Sequence, residues 1–319
     1  MEPVLKIKDL KVGFPTDTGC LQAVDGIDIA IDEGETLGLV GESGCGKSVT
    51  SLAIMGLLPE KTKVSGEIYF QGENLLTKSE KEMEKIRGDQ ISMIFQDPMT
   101  SLNPVLSISE QIEEVFYYHQ GGTKKEVKQK VLELIDLVKI PDGKRRIAEY
   151  PHQMSGGICQ RIMIAMALAC KPKLLIADEP TTALDVTVQA QILSLIKELQ
   201  NKLTTAVLMI SHDLGVIAQI TDKVAVMYAG QIVEYASTAE LFANPKHPYT
   251  VGLMETIPRI DISQSQLKEI PGMVPDLSQS FQGCRFYPRC PQAKAKCRLE
   301  SVPLVEDGET KVRCLLYSN

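Results

Sequence analysis

Hydrophobic residues recur along this chain with two different periods, which predict strands alternating with helices. Ile27, Ile29 and Ile31 alternate with polar or small residues, as in a strand that buries one face. Unbroken apolar runs at residues 174–178 and 206–211 predict fully buried strands. Helices are predicted where apolar residues share one helical face, as do Val127, Val131, Leu134, Ile135 and Val138, and also Ile192, Leu195, Ile196, Leu199 and Leu203.

This alternation predicts an α/β protein with a mainly parallel sheet covered on both faces. Near the start of the chain, a strand at 36–40 leads into a helix at 48–58. Residues 107–168 have a helical pattern and form an insertion in the sheet topology. After about Pro258 the chain becomes rich in proline, glycine and glutamine, which indicates an appended module.

The composition is that of an ordinary globular protein, with 44% hydrophobic and 24% charged residues among 319. The net charge of −7 argues against nucleic acid as the main partner, because such proteins usually carry a basic face. No apolar run approaches the roughly 20 residues needed to span a bilayer. We therefore expect a soluble cytoplasmic protein that reaches a membrane only through a partner.

The segment GESGCGKS, residues 41–48, fits the phosphate-loop pattern and lies between the predicted strand and helix. Backbone N–H groups and the helix dipole converge there on an anion. Lys47 can reach the β- and γ-phosphates of a nucleotide, and the Ser48 hydroxyl can ligate Mg²⁺. The predicted nucleotide contacts are Gly41, Glu42, Ser43, Gly44, Cys45, Gly46, Lys47, Ser48 and Val49.

Two acids end the predicted strand at 174–178. Asp178 is suited to hold hydrated Mg²⁺, and Glu179 to polarise a water for attack on the γ-phosphate. Such a pair is commonplace by itself, but other motifs accompany it. They are Gln96 in IFQDP, Ser155, Gly156 and Gly157 before a helical run in MSGGICQR, Asp185 in TALD, and His212 in SHD. Each has an ordinary explanation separately, as a helix cap, a loop residue or a strand end.

Together and in this order, these motifs resemble those of the ATP-binding subunits of ABC transporters, over nearly all of residues 4–255. The resemblance implies a phosphate-loop sheet, an antiparallel β-subdomain and a helical subdomain. It also implies ATP hydrolysis in a head-to-tail dimer, with each ATP held between the phosphate loop of one subunit and the signature helix of the other. The implied ATP-binding domain is 1–257, with the helical subdomain at about 98–168, and the C-terminal extension is 258–319.

The resemblance also implies a role for each motif residue. Ser155, Gly156, Gly157 and Gln160 would act on the partner's nucleotide, and Asp185 would lie at the dimer contact. Glu179 would be the catalytic base, His212 would contact the γ-phosphate, and Gln96 would contact Mg²⁺ or the attacking water. Phe14 would stack on adenine, where the family more often has tyrosine.

Longer stretches, ESGCGKSVTSLAIMGLLP and FQDPMTSLNPVLSISEQI, resemble the dipeptide, oligopeptide and nickel importer branch. This implies a subunit at the cytoplasmic face of the cell membrane that energises peptide import. The implied partners are two permease subunits, a second ATP-binding subunit in a heterodimer or homodimer, and an extracytoplasmic peptide-binding protein. The alternatives are a nickel importer, a soluble ABC-type ATPase of DNA repair or translation, and a regulator that binds nucleotide without hydrolysing it.

Cys284, Cys290, Cys297 and Cys314 are clustered near the C-terminus with the spacing C-x5-C-x6-C-x16-C. In a reducing compartment such a cluster favours a metal site over disulfides. The spacing lacks the C-x2-C pair that is usual for zinc, and basic neighbours are expected to lower the pKa values of the thiols. Zinc, an iron–sulfur cluster, free thiols and a disulfide all remain open on these grounds. The resemblance of the tail to that of peptide importers favours a [4Fe–4S] cluster.

Overall fold

The computed structural model describes residues 2–17, 19–182, 184–256, 269–278 and 281–318. The strands are β1 Leu5–Thr16, β2 Gly19–Ile31, β3 Thr36–Val40, β4 Lys63–Phe70, β5 Glu73–Asn74, β6 Ile91–Ile94, β7 Leu174–Asp178, β8 Ala206–Ser211, β9 Lys223–Tyr228, β10 Gln231–Ser237, β11 Val305–Asp307 and β12 Thr310–Val312. The helices are α1 Lys47–Met55, α2 Glu80–Ile86, α3 Pro98–Ser101, α4 Ile108–His119, α5 Lys124–Leu137, α6 Gly143–Arg146, α7 Gly156–Leu168, α8 Val186–Leu203, α9 Leu214–Ile220, α10 Thr238–Ala243, α11 Pro248–Glu255 and α12 Lys296–Leu299.

The chain divides into two compact units. The first consists of Met1–Val4, Asp32–Glu35 and Thr77–Leu208, and the second of Leu5–Ile31, Thr36–Leu76 and Met209–Asn319. The predicted boundary between the ATP-binding domain and the C-terminal extension, at residues 257 and 258, lies outside the described residues. Among the described helices, none is long and apolar enough to cross a membrane.

The second unit contains an antiparallel sheet with the strand order β2-β1-β4-β5. Ile27, Ile29 and Ile31 of β2 are buried, with at most 3% of each exposed. The half-buried strand predicted from their alternation is confirmed, because period-two spacing places all three on the face that packs inward.

A second sheet in this unit runs from β3 to the C-terminal hairpin. Strand β3 pairs in parallel with β9, and β9, β10, β12 and β11 then pair antiparallel in that order. Every residue of β3 is buried, which confirms the strand predicted at 36–40. The phosphate loop therefore starts at the carboxyl end of a buried parallel strand, where α/β proteins bind ligands.

Helix α1 begins at Lys47 and ends at Met55, so it is shorter than the predicted helix at 48–58. Gly56 ends it in a left-handed conformation, with φ 62°, and its N–H bonds back to the carbonyls of Leu52 and Ala53. Glycine tolerates this conformation without strain, which is why the helix ends there although apolar residues continue.

In the first unit, β6 and β7 pair in parallel, and all residues of β7 are buried. Strand β8 begins here and ends in the second unit, and its bounds match the predicted run at 206–211. Helices α5 and α8 bury the apolar faces predicted for them. The predicted helical insertion is observed as helices α4 to α7.

Candidate functional site

Two glycines of the phosphate loop lie where no other residue type would fit, because each has a positive φ and no room for a Cβ atom. Gly41 has φ 156° and Gly46 has φ 109°. A Cβ atom at Gly41 would lie 2.1 Å from the carbonyl oxygen of Met227, and one at Gly46 would lie 2.5 Å from that of Ala23. The loop is thus pressed against the carboxyl end of β9 and against β2, and only glycine permits this close approach.

Lys47 lies at the first position of α1 and is only 5% exposed. Its ammonium donates hydrogen bonds to the carbonyl oxygens of Gly41 at 2.7 Å and Glu42 at 3.1 Å. Within the described part of the chain, no ion pair of the structure involves Lys47. A buried cation without a carboxylate partner favours a bound anion, and the start of a helix favours the same charge.

The other loop residues divide into a packed set and an exposed set. Cys45 is buried, burial raises the pKa of its thiol, and its carbonyl accepts a hydrogen bond from the Gly230 N–H at 2.9 Å. It therefore serves as a neutral packing residue. The exposed residues are Ser43, Gly44 and Ser48, with Val49 partly buried.

Phe14 and His212 belong to the same unit as the phosphate loop. Phe14 is half-buried in β1, opposite Leu21 of β2. His212 is exposed directly after β8, and the next residue, Asp213, caps α9 by accepting the N–H of Gly215 at 2.7 Å. The cap holds the backbone that carries His212, so its imidazole is presented at the carboxyl end of a buried strand.

In the first unit, Glu179 is held by two polar neighbours. Its Oε2 atom accepts hydrogen bonds from Gln96 Nε2 at 3.0 Å and from Thr182 Oγ1 at 3.0 Å. Glu179 has φ 48°, a strained conformation for this residue type, and Asp178 before it is 6% exposed. The structure thus joins Gln96 to Glu179 and adds Thr182, which sequence reasoning missed although it lies three residues away.

The signature segment begins α7. Ser155 occupies the N-cap position, is exposed, and makes no capping hydrogen bond with its side chain. Gly156 and Gly157 follow in the first turn, and a Cβ atom at Gly157 would lie 2.7 Å from Val188 Cγ1. Gln160 lies farther along α7 and is only 1% exposed.

Asp185 is exposed and caps α8, because its Oδ1 accepts the N–H of Val188 at 3.0 Å. Val186 beside it is 83% exposed. Ala183 of the same motif lies outside the described residues.

Comparison with known proteins agrees with this geometry. Residues 24–182 match the family described as ABC transporter. The chain is 51% identical to the oligopeptide transport ATP-binding protein OppD of Haemophilus influenzae, over 94% of this chain and 93% of that protein. It is 52% identical to the dipeptide transport ATP-binding protein DppD of Bacillus subtilis, over 99% and 95%.

The chain belongs to the ATP-binding proteins of ABC transporters. It is an ABC ATPase, and the predicted fold class is confirmed. A solved structure of a dimeric ATP-binding cassette in a post-hydrolysis state, bound to ADP and phosphate, is similar with a TM-score of 0.66 and 28% identity. The similarity covers 73% of this chain and 98% of that one.

A second family match marks what this ABC ATPase has in addition. Residues 233–297 match the C-terminal region of oligopeptide and dipeptide transporters. Two of its residues, Tyr249 and Arg289, contact Glu42 of the phosphate loop. Sequence reasoning missed both, because no motif links positions so far apart in the chain.

The four C-terminal cysteines of the ABC ATPase are brought near one another. The N–H of Cys284 donates to the carbonyl of Cys297 at 2.7 Å, and the charges of Cys290, Cys297 and Cys314 each influence the ionisation of Cys284. The predicted metal site is not confirmed, however. Within the part of the chain that the structure describes, no three Cys, His, Asp or Glu side chains are grouped so that they could hold a metal ion.

The expectation that basic neighbours lower the thiol pKa values is wrong for three of these cysteines. Burial, together with the nearby thiols, raises the pKa of Cys284 to about 11, and burial also raises the pKa values of Cys290 and Cys314. Burial is the largest cause for all three thiols, and two of the nearby arginines are paired with carboxylates. Arg285 pairs with Asp25, and Arg289 pairs with Glu42.

Proposed function

We propose that this ABC ATPase energises the import of dipeptides or oligopeptides across the cytoplasmic membrane. The observation that carries the proposal is the match of residues 233–297 to the C-terminal region of oligopeptide and dipeptide transporters. The relatives named for peptide transport support it, since they are similar over 94% and 99% of this chain.

For ATP binding, the phosphate loop supplies most of the contacts. Its N–H groups and the Lys47 ammonium neutralise the phosphates, and the Ser48 hydroxyl ligates Mg²⁺. The burial of Lys47 on two backbone carbonyls supports this role, because a phosphate oxygen would provide the missing negative charge. Phe14 stacks on the adenine, and its partial exposure in β1 leaves ring surface for that contact.

For hydrolysis, Glu179 orients and polarises the attacking water, and Asp178 holds the hydration shell of Mg²⁺. The hydrogen bonds from Gln96 and Thr182 to the same carboxylate oxygen support the role of Glu179, because they fix the orientation of its carboxylate. His212 donates a hydrogen bond to the γ-phosphate.

ATP closes a head-to-tail dimer in which Ser155, Gly156 and Gly157 complete the partner's nucleotide site. The uncommitted hydroxyl of Ser155, at an exposed helix start, supports this assignment, because such a start binds anions. Asp185 lies at the dimer contact, and its exposed position at the start of α8 supports this assignment. Gln160, farther along the same segment of α7, is also proposed to act on the partner's nucleotide.

The partners of the dimer are two permease subunits at the cytoplasmic face of the membrane and a second ATP-binding subunit, in a heterodimer or a homodimer. An extracytoplasmic peptide-binding protein delivers the cargo. Nucleic acid has no part in this assembly.

The test is to purify the tagged chain with its permeases from membranes and to reconstitute the complex in vesicles. Uptake of radiolabelled tripeptide and of nickel ions is then measured with the binding protein present. We expect uptake of the tripeptide that requires ATP and stops in the Glu179→Gln complex. Uptake of nickel, with no uptake of tripeptide, would assign the chain to a nickel importer instead. ATP hydrolysis by a chain that recovers no permease would remove it from transport.

We also propose that the four C-terminal cysteines hold a metal centre, a [4Fe–4S] cluster with zinc as the alternative. The backbone hydrogen bond from Cys284 to Cys297 supports this, because it holds two of the four cysteines close together in space. Iron and sulfide at cluster stoichiometry, with a visible thiolate-to-iron absorption band after anaerobic purification, would support the cluster. Equimolar zinc without iron would assign a zinc site in place of the cluster. The absence of both iron and zinc would refute the metal centre.

A further inference from the structure

Glu42, the second residue of the phosphate loop, is held at three points. Its N–H donates to the hydroxyl of Tyr249 at 2.9 Å, and its carbonyl accepts from Lys47 at 3.1 Å. Its carboxylate accepts two hydrogen bonds from Arg289, from Nη1 at 2.9 Å and from Nη2 at 3.1 Å. Both backbone groups and the side chain of one loop residue are therefore fixed.

Arg289 is built to hold this position. Its Nε donates to the carbonyl of Pro271, and its Nη2 also donates to that of Ile270, each at 3.1 Å. Its Nη1 also reaches the hydroxyl of Tyr228 at 3.4 Å. With the two bonds to Glu42, these contacts use the full donor capacity of a guanidinium. Only 5% of the side chain is exposed, so water competes little for them.

The support behind Arg289 and Tyr249 is a buried aromatic cluster. The rings of Tyr228 and Tyr249 lie 4.6 Å apart, and Phe286 lies 5.2 Å from the first and 5.5 Å from the second. Each of the three is at most 1% exposed, and the Arg289 guanidinium lies 5.7 Å from the Tyr228 ring centre. Rings packed at these distances do not rearrange independently.

We propose that Arg289 is a positioning residue for ATP binding: through its bidentate bond to Glu42, the C-terminal region holds the phosphate loop in the conformation that receives the phosphates. The region matched as the oligopeptide/dipeptide C-terminal region thereby contributes to a nucleotide site whose motifs lie in the ABC match. A loop that is ordered beforehand loses less conformational entropy when ATP binds, so its affinity is higher.

The inference rests on ATP hydrolysis by this chain and needs neither transport nor a metal centre at the four C-terminal cysteines. The experiment measures MgATP binding with a fluorescent analogue, together with kcat and KM, in the full chain and in Arg289→Lys, Arg289→Gln and Glu42→Ala. Lysine cannot reproduce the bidentate fork, so both Arg289 variants are expected to raise KM. We expect a rise of about tenfold, equivalent to ~1.4 kcal/mol, with kcat within about twofold of wild type.

Two further variants make the outcome decisive. Arg298→Gln changes an exposed arginine of the same region and should leave KM unchanged. The double variant Glu42→Ala/Arg289→Gln should have the KM of a single variant, because both remove the same bond. If Arg289→Gln does not fold, Glu42→Ala still tests the proposal, because it removes the same bond by changing the phosphate loop and should also raise KM.

Unchanged KM in Arg289→Lys and Arg289→Gln, or additive effects in the double variant, would overturn the proposal. A fall in kcat with KM unchanged would also overturn it, since that pattern indicates lost active protein. A wild-type chain that does not hydrolyse ATP would instead contradict the activity on which the proposal rests.

Discussion

Gln96 donates a hydrogen bond from Nε2 to Oε2 of Glu179 at 3.0 Å, across 83 positions of sequence. Gln96 follows β6, and Glu179 follows β7, its parallel neighbour. Because parallel strands end at the same edge of a sheet, the pairing of β6 with β7 is what brings the amide to the carboxylate. A polar side chain thus orients the acid that we propose as the base.

Replacing Glu179 by glutamine should separate ATP binding from hydrolysis. The amide keeps the size of the carboxylate but cannot accept a proton, so kcat should fall by about 10²–10⁴-fold. MgATP affinity should stay within about twofold, because the phosphate loop is untouched. Single-turnover hydrolysis and equilibrium nucleotide binding check the two halves. Glu198→Gln, which alters an exposed acid paired with Lys139, is the matched control. Wild-type turnover in Glu179→Gln would show that Glu179 is not the catalytic base.

Replacing Gly46 by alanine should disrupt the phosphate loop. The new Cβ would lie 2.5 Å from the carbonyl of Ala23, a backbone atom that cannot move aside. Gly121→Ala is the control, because that residue also has positive φ but nothing within 4 Å of the new atom. We expect the control to lose ~1 kcal/mol of unfolding free energy and Gly46→Ala to lose about 3 kcal/mol or more. Urea unfolding measures both, and equal losses would show that contact with Ala23 is not the cause.

Replacing Ser155 by arginine should block the ATP-dependent dimer without removing ATP binding by the chain itself. In the Glu179→Gln background MgATP is expected to produce a dimer, and adding Ser155→Arg should leave a monomer. The reason is that a long cation would stand where the partner's phosphates are proposed to lie. Light scattering reads the mass, and Ser301→Arg, at another exposed serine, should dimerise normally. A dimer in the Ser155→Arg protein would show that Ser155 does not lie at the partner's nucleotide site.

The stability of the fold should fall as the pH falls below 6.5, because of His247. This residue is 1% exposed, its Nδ1 accepts the N–H of Tyr249 at 3.0 Å, and burial lowers its pKa to about 3. Between pH 6.5 and about 3 the unfolded chain binds a proton that the folded chain does not. Unfolding free energy should therefore decline by about 1.4 kcal/mol per pH unit from this group within that window.

His247→Asn isolates the contribution of His247, because asparagine can still cap α11 but does not titrate. Burial raises the pKa of neighbouring Glu234, which contributes in the opposite direction, since its stabilisation is lost as the pH rises. The difference in slope between wild type and His247→Asn removes that common term. His152→Asn changes an exposed histidine and should keep the wild-type slope. Identical slopes in all three proteins would contradict the assignment.

Local sequence patterns predicted much of the fold because the interactions behind them are local. The strands at 36–40, 174–178 and 206–211 match their predicted bounds, since buried strands are continuous apolar runs. Helix α1 was predicted too long, because the left-handed cap at Gly56 overrides the apolar residues after it. The roles of Lys47 and Glu179 remain proposals, although their surroundings agree with them.

The sequence by itself determined that this chain has a phosphate loop, an acidic strand end and a signature segment, because glycine, lysine and carboxylate chemistry is encoded within a few adjacent positions. Only the tertiary structure decided which distant groups hold those residues. Arg289 forms hydrogen bonds with Glu42, 247 positions away in the sequence, so its charge is paired with that carboxylate and not with the adjacent Cys290. Contacts of this kind depend on how strands and loops pack, and packing leaves no short-range pattern in the chain.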